Sequence, residues 1–112
     1  MSIVEKNKID IVAVNHDSSI VRLVITDHLL WDEFDTHAQM LQDKVNTYLD
    51  FIESGQIFRL QDPRVPEAAK IHIVLALQHP PTNAASELFL RISEFLSGLG
   101  LTFVVETRPI AT

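Results

Sequence analysis

Hydrophobic and polar positions along this chain fall into two periods, one of two residues and one of three to four. Lys8 to Val14 and Ile20 to Thr26 are rich in Ile and Val and alternate, the period of a β-strand. Between them Asn15-His16-Asp17-Ser18-Ser19 is turn chemistry, because Asn, Asp and Ser bond their own backbone, so the two strands form an antiparallel hairpin. The period then lengthens. Phe34, Ala38, Leu41, Val45, Tyr48 and Ile52 recur at spacings of three and four, one apolar stripe along a long helix, widened by Met40, Leu49 and Phe51. Asp32 is the expected N-cap, with Glu33 and Asp35 adding negative charge to the first turn, and Gly55 is placed to end the helix in a left-handed cap.

Gln56 to Leu60 reads as a short edge segment, and Gln61 to Glu67 as a loop broken by Pro63 and Pro66. Lys70 to Gln78 is the clearest strand. A rigid His79-Pro80-Pro81-Thr82 turn leads into a second helix capped by Thr82 or Asn83. Its stripe is Ala85, Leu88, Ile92, Phe95 and Leu99, closed by Gly100. Leu101 to Glu106 is the last strand, ending before Pro109.

The predicted order is ββαβαβ in a single domain spanning residues 1–112. Strands alternating with helices favour right-handed crossovers, and each helix is amphipathic, so each covers one sheet face. The expected fold is α+β, an α/β two-layer sandwich: one mixed four-stranded sheet with both helices on one side. The helices then cover Ile9, Ile11, Val21, Leu23, Ile25, Ile71, Ile73, Leu75, Phe103 and Val105. The other face carries Asp10, Val12, Val14, Arg22, Val24, His72, Val74, Ala76, Thr102, Val104 and Glu106. This second face is a band of valines with a polar rim, more apolar than a solvated face requires, and it reads as a partner surface. The candidate interface residues are Val12, Val14, Val24, His72, Val74 and Val104. The plainer alternative is that β-branched residues stand there because they suit a pleated backbone.

Composition narrows the function classes. The formal net charge is −6 and the nine Lys and Arg are scattered, which argues against a nucleic-acid binder, since that needs a basic surface to displace phosphate counterions. The absence of cysteine removes disulfides, thiolate nucleophiles and cysteine metal sites, and fits a reducing compartment. No apolar run reaches the ~20 residues of a membrane span. The first residues lack the charged start and apolar stretch of a secretory signal, so a cytoplasmic location is expected.

The densest polar group is Asp27-His28-Leu29-Leu30-Trp31-Asp32-Glu33-Phe34-Asp35-Thr36-His37, at the carboxyl end of the second strand, where open α/β sheets often bind ligands. Histidine beside carboxylates suits acid–base work, which makes His28, Trp31, Asp32, Asp35 and His37 candidate ligand contacts. No metal-binding spacing is present, and neither a metal nor a cofactor is expected. The structural alternative is that the acids start a helix and Trp31 plugs the core with its N–H satisfied locally. The serines lack the glycine-flanked elbow of a hydrolase, and Gly98-Leu99-Gly100 is a helix end rather than a phosphate cradle.

Ile25-Thr26-Asp27-His28-Leu29, Trp31 and the run Leu41 to Gln56 resemble a family of short bacterial proteins catalogued only as a domain of unknown function. That resemblance implies a bacterial, cytosolic, stand-alone domain and brings no activity. Two readings follow. In the first the chain is a non-enzymatic interaction module, a homodimer or the partner of a different protein, using the valine-bearing face. In the second it binds or transforms a small molecule at Asp27 to His37.

Overall fold

The structure, a computed structural model, describes residues 2–107. β1 (Ile11–Asn15) and β2 (Ile20–Asp27) form the hairpin, followed by α1 (Phe34–Glu53), one turn of 3-10 helix (Gln56–Arg59), β3 (Lys70–Leu77), α2 (Asn83–Ser97) and β4 (Thr102–Thr107). The sheet order is β1-β2-β3-β4, antiparallel in its first pair and parallel in the other two. Each crossover steps to the next strand in the same direction. Right-handed connections therefore lay both helices on one face. One core cluster joins Val21, Leu23, Ile25, Ile73 and Leu75 of the sheet to Leu41 and Val45 of α1 and to Leu88 and Ile92 of α2. The ββαβαβ order and the two-layer arrangement expected from the chain are present. Pro109, read as the stop of the last strand, lies outside the described residues.

Local chemistry explains the element ends. Thr82 caps α2 by accepting the Ala85 N–H. Past α1, Gly55 takes φ +81° and its N–H reaches the Ile52 carbonyl, the left-handed finish that a side chain would strain. Three expectations are corrected. Gln56–Arg59 turns as a 3-10 helix around buried Ile57 rather than extending along the sheet edge. Asp32 does not cap α1: the cap is Glu33, whose side chain makes no cap bond. The α2 stripe runs through Phe89 and Leu96, while Phe95 and Leu99 stand 58% and 49% exposed.

The register also reverses β1. Ile11 pairs with Val24 and Val12 with Leu23. Cross-strand partners share a face, so Val12 and Val14 turn toward the helices and pack on the main core, whereas Ile11 faces away. The cause is a polar anchor. Lys44, wholly buried on α1, donates to Asp10 Oδ1 (2.8 Å) and to the carbonyls of Glu5 and Lys8. Asp10 also accepts from the Thr26 N–H, and the Asp10 N–H donates to the Tyr48 hydroxyl, which in turn donates to the Val24 carbonyl. Asp10 thus points inward to meet the ammonium, and strand alternation sends Ile11 outward. Burial holds the Tyr48 phenol well above its ordinary pKa.

Candidate functional site

The candidate residues gather at two places: the junction of β2 with α1, and the sheet face that the helices leave open.

At the junction Asp27 ends β2, its carbonyl accepting the Gln78 N–H and its Oδ1 accepting the Leu29 N–H. Such a bond between a carboxylate and the backbone two residues on is the Asx turn expected of this residue type. Asp27 Oδ2 lies 2.5 Å from His37 Nε2, and His37 Nδ1 lies 3.0 Å from the Leu30 carbonyl. A carbonyl only accepts, so Nδ1 carries a hydrogen and one further proton is held between Nε2 and the carboxylate. The imidazole stacks on Trp31 with ring centroids 3.4 Å apart and planes 11° from parallel. Trp31 in turn meets Phe89 edge-on at 5.4 Å. Asp27, His37 and Trp31 are all buried. Both ring nitrogens of His37 are engaged inside the chain, leaving no lone pair for a substrate proton or a metal. The arrangement is a clasp that ties the end of β2 to the first turn of α1.

The other sequence candidates here, His28, Asp32 and Asp35, are exposed. His28 and Asp32 border a concavity of about 470 Å³ with Leu29, Thr36 and His79. Among the described residues no group of three or more His, Asp or Glu is arranged to hold a metal ion. The Trp31 Nε1–H finds no acceptor among the described residues, contrary to the expectation of a locally satisfied indole. Leaving such a donor buried and unpaired costs on the order of 1–3 kcal/mol.

On the open face one apolar row crosses all four strands: Ile11, Val24, Val74 and Val104. Val24, Val74 and Ala76 form a second cluster separate from the main core, with Val104 packed against it. Arg22 and Glu106 lie on opposite sides of that row. Arg22 stands opposite His72, two residues before Val74, and Glu106 opposite Ala76, two residues after it. Their side chains nevertheless meet, Nη2 to Oε1 at 2.6 Å. The pair therefore spans two strand spacings, about 10 Å, and four residues, about 13 Å, along a diagonal centred on Val74. That diagonal, with Val24, Ala76 and Val104 packed around it, accounts for Val74 being 0% exposed although no helix among the described residues covers it.

The model of a family of unknown function (DUF6572) matches residues 1–109. The chain belongs to that family. Membership is what the run around Asp27, Trp31 and the α1 sequence implied, and it carries no activity with it. No curated protein and no solved structure matches the chain. No helix among the described residues is long and apolar enough to cross a membrane.

Of the residues read from the chain as interface candidates, Val24, His72, Val74 and Val104 share the open face, whereas Val12 and Val14 belong to the helix side. Ile11, 42% exposed, takes their place on the open face, a reversal that strand alternation alone does not reveal. A signal for it exists in the sequence. Lys44 falls between Leu41 and Val45, inside the buried stripe, and a lysine there demands a buried acid. Asp10 is the acid that answers, and its inward direction sets the rest of β1.

Proposed function

We propose that this chain is a self-associating module whose two copies meet through the open sheet face. The observation that carries this reading is the row Ile11–Val24–Val74–Val104, which runs unbroken across the sheet on the side without helices. Charge supports a second copy as the occupant. The chain carries a formal charge of −6, so most pairings of identical surfaces bring acid against acid. The described strand positions of the open face carry Arg22 and Lys70 against Glu106, free of that acidic surplus. Two copies can approach there without the acid-against-acid repulsion of the other surfaces.

The rival reading, chemistry or ligand binding at Asp27 to His37, is weakened by the clasp geometry, since Asp27 and His37 satisfy one another and the backbone around them.

Sedimentation equilibrium over a dilution series tests the proposal. Wild-type chain is expected at twice the chain mass in the micromolar range, and Ile11→Lys at the mass of one chain with an unchanged circular dichroism spectrum. Ile11 is already 42% exposed, so a lysine there is tolerated by the fold. A wild type that sediments as a single chain at about 100 µM, a concentration at which even weak specific dimers assemble, contradicts the proposal.

A further inference from the structure

The Arg22–Glu106 pair has a property that its role as a cover for Val74 does not use. Its two charges have opposite sign and lie symmetrically about the centre of the apolar row. Consider a two-fold axis lying in the plane of the open face, passing over Val74 and perpendicular to the line from Arg22 to Glu106. Rotation about that axis carries Arg22 of one copy onto Glu106 of the other, and Glu106 onto Arg22. A two-fold interface demands a patch complementary to itself, and a plus–apolar–minus diagonal meets that demand.

We infer that, on the self-association read above, two copies pack with Val74 near Val74 and exchange ion-pair partners, Arg22 of each copy binding Glu106 of the other. The inference rests on that reading and deepens it by naming the contacts.

Three observations support the exchange. The intramolecular pair is about one-third exposed at each end, 35% and 29%, so water weakens it and opening it costs little. Opening it withdraws the cover from Val24, Val74 and Ala76, which then meet the same residues of the partner. The Arg22–Glu106 contacts are conserved in number: two within the copies become two between them, now with less water and a lower local dielectric around each guanidinium–carboxylate contact. The chain therefore stores its interface closed, with a polar diagonal over the apolar row, and exposes it only against a matching surface. This limits the apolar area that a lone copy shows to water.

Complementary charge reversal tests the inference. Arg22→Glu and Glu106→Arg are each prepared and checked for an unchanged fold by circular dichroism, and all masses are measured by sedimentation. Each single variant places like charges at both exchanged contacts, so each alone is expected to dimerise at least about tenfold more weakly than wild type. An equimolar mixture of the two restores both contacts, each acid of one variant facing an arginine of the other, and is expected to form heterodimers within about threefold of wild-type affinity. The intramolecular pair is broken in both variants, so a purely internal role for it predicts no rescue on mixing. If wild type is dimeric and Ile11→Lys dissociates it, yet mixing gives no heterodimer, the exchange is wrong and the open-face reading stands. If wild type is monomeric, the open-face reading itself fails.

Discussion

Lys44 and Asp10 form an ion pair withdrawn completely from solvent, and that pair decides which way the first strand faces. The ammonium has three acceptors and the carboxylate gains the Thr26 N–H besides, so each charge is compensated. Removing one partner leaves the other buried and unpaired. Asp10→Ala is expected to cost about 3–5 kcal/mol, a large share of the 5–15 kcal/mol that holds a domain of this size. Urea denaturation followed by circular dichroism measures it. A loss below about 1 kcal/mol contradicts the anchoring role.

Tyr48 is the chain's one tyrosine, which makes its titration separable. Its hydroxyl donates to the Val24 carbonyl at 2.6 Å, and burial holds the phenol above its ordinary value. In the unfolded chain the phenol ionises near pH 10. The folded pKa is the higher one, so above that pH the unfolded state binds fewer protons and stability falls as pH rises. Stability measured from pH 8 to pH 11 is expected to fall more steeply in wild type than in Tyr48→Phe. Parallel curves contradict the account.

The clasp at Asp27 makes a contrasting pair of substitutions informative. In Asp27→Asn the amide oxygen still accepts the Leu29 N–H, and the amide NH₂ donates to Nε2 of a ring whose Nδ1 hydrogen stays on Leu30. Asp27→Asn is expected to cost under about 1 kcal/mol, whereas Asp27→Ala strands two buried groups and costs about 2–4 kcal/mol. Equal losses in chemical denaturation show that the carboxylate charge, rather than the hydrogen bonds, holds the junction.

Two phenylalanines of α2 separate burial from sequence periodicity. Phe89 is 7% exposed and Phe95 58%. Phe89→Ala is expected to lose about 3–5 kcal/mol and Phe95→Ala less than about 1 kcal/mol, read from thermal or urea unfolding. Comparable losses contradict the described orientation of the helix.

Most of the fold is legible from local pattern: Ile73 to Leu77 is a short unbroken apolar run, the mark of a strand buried on both faces, and Leu41, Val45 and Tyr48 repeat at helical spacing. What stayed hidden depended on partners distant in sequence. Alternation in β1 reads equally well with either set of residues inward, and only the Lys44 contact selects one. Phe95 fits the helical spacing but lines a groove between α1 and α2, beside Val45 and Leu88, where no described residue closes over it. His37 stands close to acids in sequence, as a base would, but its use depends on hydrogen bonds to Asp27 and Leu30 that spacing alone does not reveal. The Arg22–Glu106 diagonal joins residues 84 positions apart and required the strand order.

The open face is tested most directly by nuclear magnetic resonance on a mixture of isotope-labelled and unlabelled copies, which isolates contacts between chains. Intermolecular contacts are expected from the methyl groups of Ile11, Val24, Val74 and Val104. Contacts arising instead from Phe95 and Leu99 on the helix side, or none at concentrations of about 1 mM, contradict the account.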